Sequence, residues 1–112
     1  MSDKVESLED LRVALEKTQI VLDKRQRIVK EFEVKVQETQ IQIKEIDDKI
    51  RLASDSAGKL QSGESYKRKL KIELSKLKEQ LDSARIELAN AETRFELLTT
   101  EIRSLDGGNG SR

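Results

Sequence analysis

The chain has 112 residues, enough for one domain, and its 22 basic and 22 acidic side chains give a net charge of zero. It contains no Pro, Cys or His, which excludes a disulfide framework, His-ligated zinc and His-based catalytic triads. The balanced charge argues against a nucleic-acid partner, because such binders normally carry a basic excess. With no apolar run near the ~20 residues of a membrane span, and no signal peptide, we expect a soluble cytoplasmic protein.

The first half of the chain carries an apolar heptad repeat that starts at Leu8. Eleven of its fourteen a and d positions are apolar, and a strict 3.5-residue period indicates a seam against another helix. Ser7 can cap the helix, with Asp10 at the acidic third position. The pattern therefore predicts a helix over about 7–57. Its a positions are Leu8, Leu15, Leu22, Val29, Val36, Ile43 and Ile50, and its d positions are Leu11, Thr18, Arg25, Phe32, Thr39, Ile46 and Ala53.

The second half repeats the pattern, with eleven of twelve a and d positions apolar. It predicts a helix over about 64–106, followed by Gly107 as a left-handed cap and a flexible tail over 107–112. The a positions are Lys67, Leu74, Leu81, Leu88, Phe95 and Ile102, and the d positions are Leu70, Leu77, Ala84, Ala91, Leu98 and Leu105.

The stretch GKLQSGES, residues 58–65, lies between the two repeats. Gly58 and Gly63 have the spacing of a phosphate-binding loop, but Glu64 stands where that loop requires Lys, and a helix precedes it instead of a strand. The two heptad registers differ by three residues across this region. We therefore interpret 58–63 as a turn, with Gly58 as a C-cap and Ser62 as an N-cap.

These features predict an all-α fold, a single antiparallel coiled-coil helical hairpin over 1–112 that associates into a larger helical bundle. Folding about residue 60 places Ile50 opposite Leu70 and Arg25 opposite Phe95. Two alternatives stay open: a continuous helix with a stammer, and an antiparallel homodimer of continuous helices. In the hairpin register, five charged pairs attract and none repels, whereas a shift of one heptad would place Asp47 opposite Glu64. The attracting pairs are Arg12–Asp106, Glu33–Arg85, Asp47–Lys71, Lys35–Glu87 and Lys49–Glu73.

The face of the first helix opposite the seam carries a second set of aliphatic residues, at f and g positions that a two-helix coil leaves in water. A row recurring over several heptads indicates an interaction surface, used against a partner helix or a second copy of the chain. We predict a non-enzymatic assembly or adaptor module, with a chaperone-like hairpin that holds client proteins as the alternative. The predicted interaction residues are Val13, Ile20, Val21, Ile28, Val34 and Ile41.

The remaining polar features suggest no chemistry. Paired carboxylates such as Asp47 and Asp48 need a concave, desolvated site to shift their pKa values, and a coiled coil offers none. We therefore predict no catalytic residue, metal, cofactor or small-molecule substrate. A basic cluster follows the glycine stretch and is interpreted as a solvated face, with contact to an acidic partner as the alternative. Its residues are Tyr66, Lys67, Arg68, Lys69 and Lys71.

Overall fold

The computed structural model of the chain consists of two long helices, α1 (Ser2–Leu52) and α2 (Ala57–Gly107), packed against each other in opposite directions. It describes residues 2–53 and 56–107, and the side chains of 8–53 and 56–106. No strand occurs in these ranges. The prediction of an all-α antiparallel helical hairpin is confirmed. The predicted tail beyond Gly107 lies outside the described residues.

The chain divides into two compact units, each containing a segment of both helices. We call Val29–Ser83 the tip unit, because it contains the connection between the helices, and we call Met1–Ile28 with Ala84–Arg112 the terminal unit. Every buried apolar side chain in either unit occupies a predicted a or d position, so the heptad assignment is confirmed. These side chains are Leu22, Val29, Leu70, Leu77, Leu81, Ala84, Ala91 and Leu98.

Two polar residues, Thr18 in the terminal unit and Thr39 in the tip unit, are buried at d positions. Their hydroxyl groups donate hydrogen bonds to the carbonyl oxygens of Ala14 and Lys35, at 2.7 and 2.9 Å, one turn earlier in α1. Each buried hydroxyl is therefore satisfied within its own helix. Threonine side chains fill less of the seam than leucine would, which leaves room beside these positions for surface grooves.

The connection between the helices is shorter and earlier than predicted. The amide of Ala53 donates to the carbonyls of Lys49 and Ile50, and the amide of Ser56 donates to the carbonyl of Ala53 at 3.0 Å. Ser56 then caps α2, accepting the amide of Lys59 on its hydroxyl at 3.4 Å and that of Leu60 on its carbonyl at 2.9 Å. The turn predicted at 58–63 is wrong, because a different serine begins the helix.

The glycines that suggested a turn lie inside α2. Gly58 is exposed in the first turn, and Gly63 is buried in the second. The second heptad repeat continues backwards through Leu60 at a and Gly63 at d without a break. The assignments of Gly58 as a C-cap and Ser62 as an N-cap are wrong, since a helix tolerates isolated glycines at a modest cost.

The outer ends of the helices also differ from the predicted caps. α1 begins at Ser2, so Ser7 lies within it, and α2 continues through Gly107. The capping pattern at Ser7 also occurs inside helices, and neither Gly nor Pro precedes it to stop the helix earlier. The assignment of Ser7 as the N-terminal cap is therefore wrong. Gly107 is the last residue of α2, but no described glycine has a positive φ, so the left-handed conformation predicted for it is wrong.

In the tip unit, the pairing of the helices is one heptad away from the predicted pairing. Ile50 lies against Gly63 instead of Leu70: a Cβ atom added to Gly63 would stand 2.7 Å from Cγ1 of Ile50. The ammonium of Lys67 pairs with the carboxylate of Asp47. Because the turn comes earlier than predicted, Ile50 and Asp47 of α1 meet earlier residues of α2. One heptad is the smallest such shift that keeps the a and d positions facing each other.

The terminal unit has the same offset. Arg25, predicted to lie opposite Phe95, is half-buried and donates to the carboxylate of Glu87, which adjoins Leu88, the residue one heptad before Phe95. The predicted pair Arg12–Asp106 does form, at 3.4 Å between exposed groups. A long arginine side chain can span more than one turn, so this pair is compatible with both registers. Exposed pairs of this kind contribute about 0–1 kcal/mol and do not determine the register.

Candidate interaction surfaces

Five of the six predicted interaction residues of α1 are exposed. In the terminal unit the exposed fractions are 51% for Val13, 66% for Ile20 and 41% for Val21, while Ile28 is half-buried. In the tip unit they are 53% for Val34 and 58% for Ile41. These aliphatic side chains face away from the seam because f and g positions lie outside the a and d stripe.

In the terminal unit, Val13 and Val21 line one groove of about 560 Å³. The groove lies on the g side of the seam, where Thr18 and Ala91 are too small to fill the space between the helices. Charged residues edge the groove, so an amphipathic helix would find an apolar floor and polar edges there. The other lining residues are Asp10, Ala14, Lys17, Thr18, Ala91 and Arg94.

In the tip unit, Ile41 lines a more polar groove of about 580 Å³ beside Thr39 and Leu77. Its remaining lining residues are Lys35, Glu38, Gln42 and Glu73. Helix α2 also exposes aliphatic side chains, with Ile72 exposed by 59% in the tip unit and Ile86 and Leu97 by 63% and 64% in the terminal unit. The apolar surface available to a partner therefore includes residues of both helices.

A further groove, of about 980 Å³, lies beside the turn and was not predicted from the sequence. Half-buried Ile46 and Ile50 and buried Gly63 form its floor, while Leu52 and Tyr66 stand at its edge with exposed fractions of 86% and 49%. The other lining residues are Lys49, Ala53, Ser56, Gly58, Lys59 and Ser62. We call this concavity the tip groove.

Gly63 is the sequence signal that could have revealed the tip groove. Once the heptad repeat is extended backwards, Gly63 occupies a d position, where a missing side chain lets α1 approach closely and leaves a hollow beside the contact. Interpreting this glycine as a turn residue hides the hollow. Gly58 and Gly63 lie in the first two turns of α2 and are followed by the exposed Tyr66. This combination is the sequence feature that indicates a groove.

The electrostatics of the tip unit centre on Lys67, the one charged residue at an a position of α2. Its ammonium donates to Oδ1 of Asp47, and this hydrogen bond lowers the pKa of Asp47 and raises that of Lys67. Glu64 adds to the rise in the pKa of Lys67, and Lys71 adds to the fall in that of Asp47. The sequence argued against this register because it places Asp47 across from Glu64. Lys67 lies close enough to interact with both carboxylates.

The described residues form neither a cluster of metal ligands nor a phosphate-binding loop. Within 2–53 and 56–107, no three His, Cys, Asp or Glu side chains cluster as metal ligands would. Gly58, Gly63 and Ser65 belong to a continuous helix, whereas a phosphate-binding loop needs backbone amides free to surround the phosphates. Neither helix, over the part that the structure describes, has a segment long and apolar enough to cross a membrane.

Comparison of the chain with protein-family models, with curated proteins and with solved structures found no match.

Proposed function

We propose that the protein is a non-enzymatic coiled-coil module that assembles with a second copy of itself, or with a helix of a partner, through the outer aliphatic residues of α1. The observation that carries this proposal is their exposure, which runs from 41% to 66% for Val13, Ile20, Val21, Val34 and Ile41. The proposed setting is the cytoplasm, as expected from the sequence.

The thin core supports the proposal. The seam buries each helix from one side only, and among the described residues no side chain is buried completely. A pair of helices with such a core gains stability from a further layer. Burying one aliphatic side chain contributes about 1.5–3 kcal/mol before association costs are subtracted. Several together can therefore hold a complex that one alone cannot.

A fourfold substitution of the outer residues tests the proposal. Glutamine keeps helix propensity while removing the apolar surface, so helicity by circular dichroism should survive while self-association or partner capture is lost. Sedimentation equilibrium over a tenfold or wider concentration range gives the mass, and a pull-down from native extract gives the partner. The substitutions are Val13→Gln, Ile20→Gln, Val34→Gln and Ile41→Gln.

A matched control changes four exposed charged residues of α1 to the same amino acid and leaves the net charge unchanged. This variant should keep the mass and the partners of the unmodified protein. If both variants behave like the unmodified protein, the outer residues are ordinary surface and the assembly proposal fails. If the outer variant instead keeps its mass but no longer prevents client aggregation, the chaperone-like alternative replaces it. The control substitutions are Glu9→Gln, Glu16→Gln, Lys30→Gln and Lys44→Gln.

A further inference from the structure

We propose that the tip groove is a second docking site, which binds an acidic peptide segment that carries one large apolar side chain. The site lies in the tip unit and shares no residue with the outer aliphatic residues of α1, which we call the outer row. Its proposed ligand follows from two properties of the lining, an apolar floor and a positively charged edge.

The floor of the tip groove can accept an apolar side chain. Ile46, Ile50 and Ala53 present aliphatic surface there, and Gly63 adds depth because it has no side chain. Leu52 and Tyr66 stand at the edge and are largely exposed in the free protein. An inserted side chain would bury both of them along with itself, which is the arrangement of an anchor residue in a peptide-binding groove.

The edge of the tip groove is positively charged. Lys49 and Lys59 are the charged residues of its lining, and within the described ranges neither forms an ion pair. Of the described carboxylates nearby, Asp47 is engaged by Lys67 and Asp48 by Arg51, while Glu64 interacts with Lys67. The groove therefore complements a ligand that supplies carboxylates, and unfavourable contacts would exclude a basic one.

The positive surface continues along α2. A shallower depression of about 430 Å³ shares Gly58, Ser62 and Tyr66 with the tip groove and adds Arg68 and Lys69. The first turn of α2 carries no acidic side chain, so the positive end of the helix dipole adds to the field of the lysines. An extended acidic segment could place its anchor in the tip groove and its carboxylates along this depression.

A peptide fits these features better than a lipid surface does. A flat membrane surface could reach the exposed Leu52 and Tyr66 at the edge, but not the floor, because Ile46, Ile50 and Gly63 are recessed between the helices. Anionic lipid would still attract the same lysines, so vesicles belong in the test as the competing outcome.

The test begins with a selection from a random twelve-residue peptide library on the immobilised full chain, so that the ligand sequence is an outcome of the experiment. Enriched peptides should be rich in Asp and Glu around one Leu, Ile, Phe or Trp. Their affinities are then measured for the variant Lys49→Glu/Lys59→Glu and for a control of equal charge change, Lys30→Glu/Lys76→Glu, at exposed positions outside the groove. We expect the groove variant to raise Kd at least about tenfold and the control less than about threefold.

A third variant tests the apolar half of the site. Leu52→Ser changes a side chain that is 86% exposed, so the fold should survive by circular dichroism while peptide affinity drops. The fourfold glutamine variant of the outer row should keep its peptide affinity, which separates this site from the proposed assembly surface. Failure to enrich acidic peptides, or equal binding by the groove and control variants, overturns the proposal. Co-sedimentation with phosphatidylcholine–phosphatidylserine vesicles in the absence of enriched peptides would also overturn it, in favour of a membrane contact.

Discussion

Near the turn, α2 has an inner face that packs on α1 and an outer face on the opposite side. The two faces carry the same kinds of residue in different surroundings. Leu70 on the inner face is 4% exposed, while Ile72, two residues later, is 59% exposed. Gly63 on the inner face lies against Ile50, whereas a Cβ atom at Gly58 would meet nothing within 4 Å. At both pairs of positions the facing helix, and not the residue type, decides what a residue contributes to stability. The following substitutions test this rule.

The largest effect should come from cutting back the leucine of the inner face. Leu70→Ala leaves a cavity under α1 and should lower the free energy of unfolding by about 2–5 kcal/mol. Ile72→Ala removes a similar side chain from the outer face and should change it by about 0.5 kcal/mol or less. Urea unfolding followed by circular dichroism measures both. Similar losses for the two variants would mean that the outer face is also packed in solution.

The inner glycine should be the next most sensitive position. Gly63→Ala brings a methyl group within 2.7 Å of Ile50 Cγ1, and the displacement that follows should cost about 1–3 kcal/mol in unfolding free energy. In an Ile50→Ala background the same change should cost less, because the clashing side chain is gone. A double-mutant cycle by urea unfolding gives the coupling energy. Strictly additive effects would show that these two residues do not touch.

Substitution of the outer glycine, Gly58, by alanine should raise the free energy of unfolding, whereas the same change at Gly63 should lower it. Gly58→Ala meets no neighbour within 4 Å and replaces the most flexible residue in the first turn of α2. We expect a gain of about 0.4–1 kcal/mol in unfolding free energy, from the reduced entropy of the unfolded chain and the better helix propensity of alanine. The measurement is the midpoint of urea unfolding, provided that the dependence of the unfolding free energy on urea concentration is unchanged. A loss of stability would indicate that Gly58 lies in a turn after all.

The smallest effect concerns the ion pair between Asp47 and Lys67, which makes the free energy of unfolding depend on pH. The hydrogen bond from Lys67 lowers the pKa of Asp47 below its ordinary 3.8. This contribution to stability is present above about pH 4 and is lost as the pH falls through the lowered value. The pKa of Lys67 is raised above 10.5, so its contribution is complete below that pH and is lost as the pH rises through the raised value.

Replacing Lys67 should therefore weaken the dependence of the unfolding free energy on acid pH. Lys67→Gln should make the fall in unfolding free energy below pH 4 shallower, while Lys69→Gln, at an exposed position nearby, should leave it unchanged. Urea unfolding at several pH values between 2 and 6 measures the slopes. Identical slopes for all three proteins would show that Asp47 gains nothing from Lys67.

The sequence was sufficient to predict the helices, their antiparallel packing and the buried face. The 3.5-residue period is a property of the whole repeat, so the buried apolar side chains from Leu22 to Leu98 could be assigned from their positions alone. The exposure of Val13, Ile20, Val34 and Ile41 followed from the same repeat. Because these features depend on many residues at once, a mistaken assignment of a few residues does not change their prediction.

The turn and the register could not be predicted in the same way, because each depends on a few local choices. Gly58 and Gly63 favour a turn by composition, yet Ser56 caps the helix before them. Charge pairing then supported the wrong register, since exposed pairs contribute little and in the observed register Lys67 interacts with the carboxylates of both Asp47 and Glu64. The tip groove depends on both features and was missed with them.

Crosslinking Ile50 to Gly63 tests the central claim, an intrachain hairpin in this register, most directly. A Cβ atom at Gly63 would lie 2.7 Å from Cγ1 of Ile50. The two Cβ atoms are at most one bond farther apart, within the about 3.5–4.5 Å that a disulfide requires. The chain has no cysteine of its own, so each engineered pair is the sole pair present. We predict that Ile50→Cys/Gly63→Cys oxidises within one chain at low concentration, by mass spectrometry and non-reducing electrophoresis, and that Ile50→Cys/Leu70→Cys does not. Oxidation of the second pair alone, or crosslinked dimers from the first, would contradict the account.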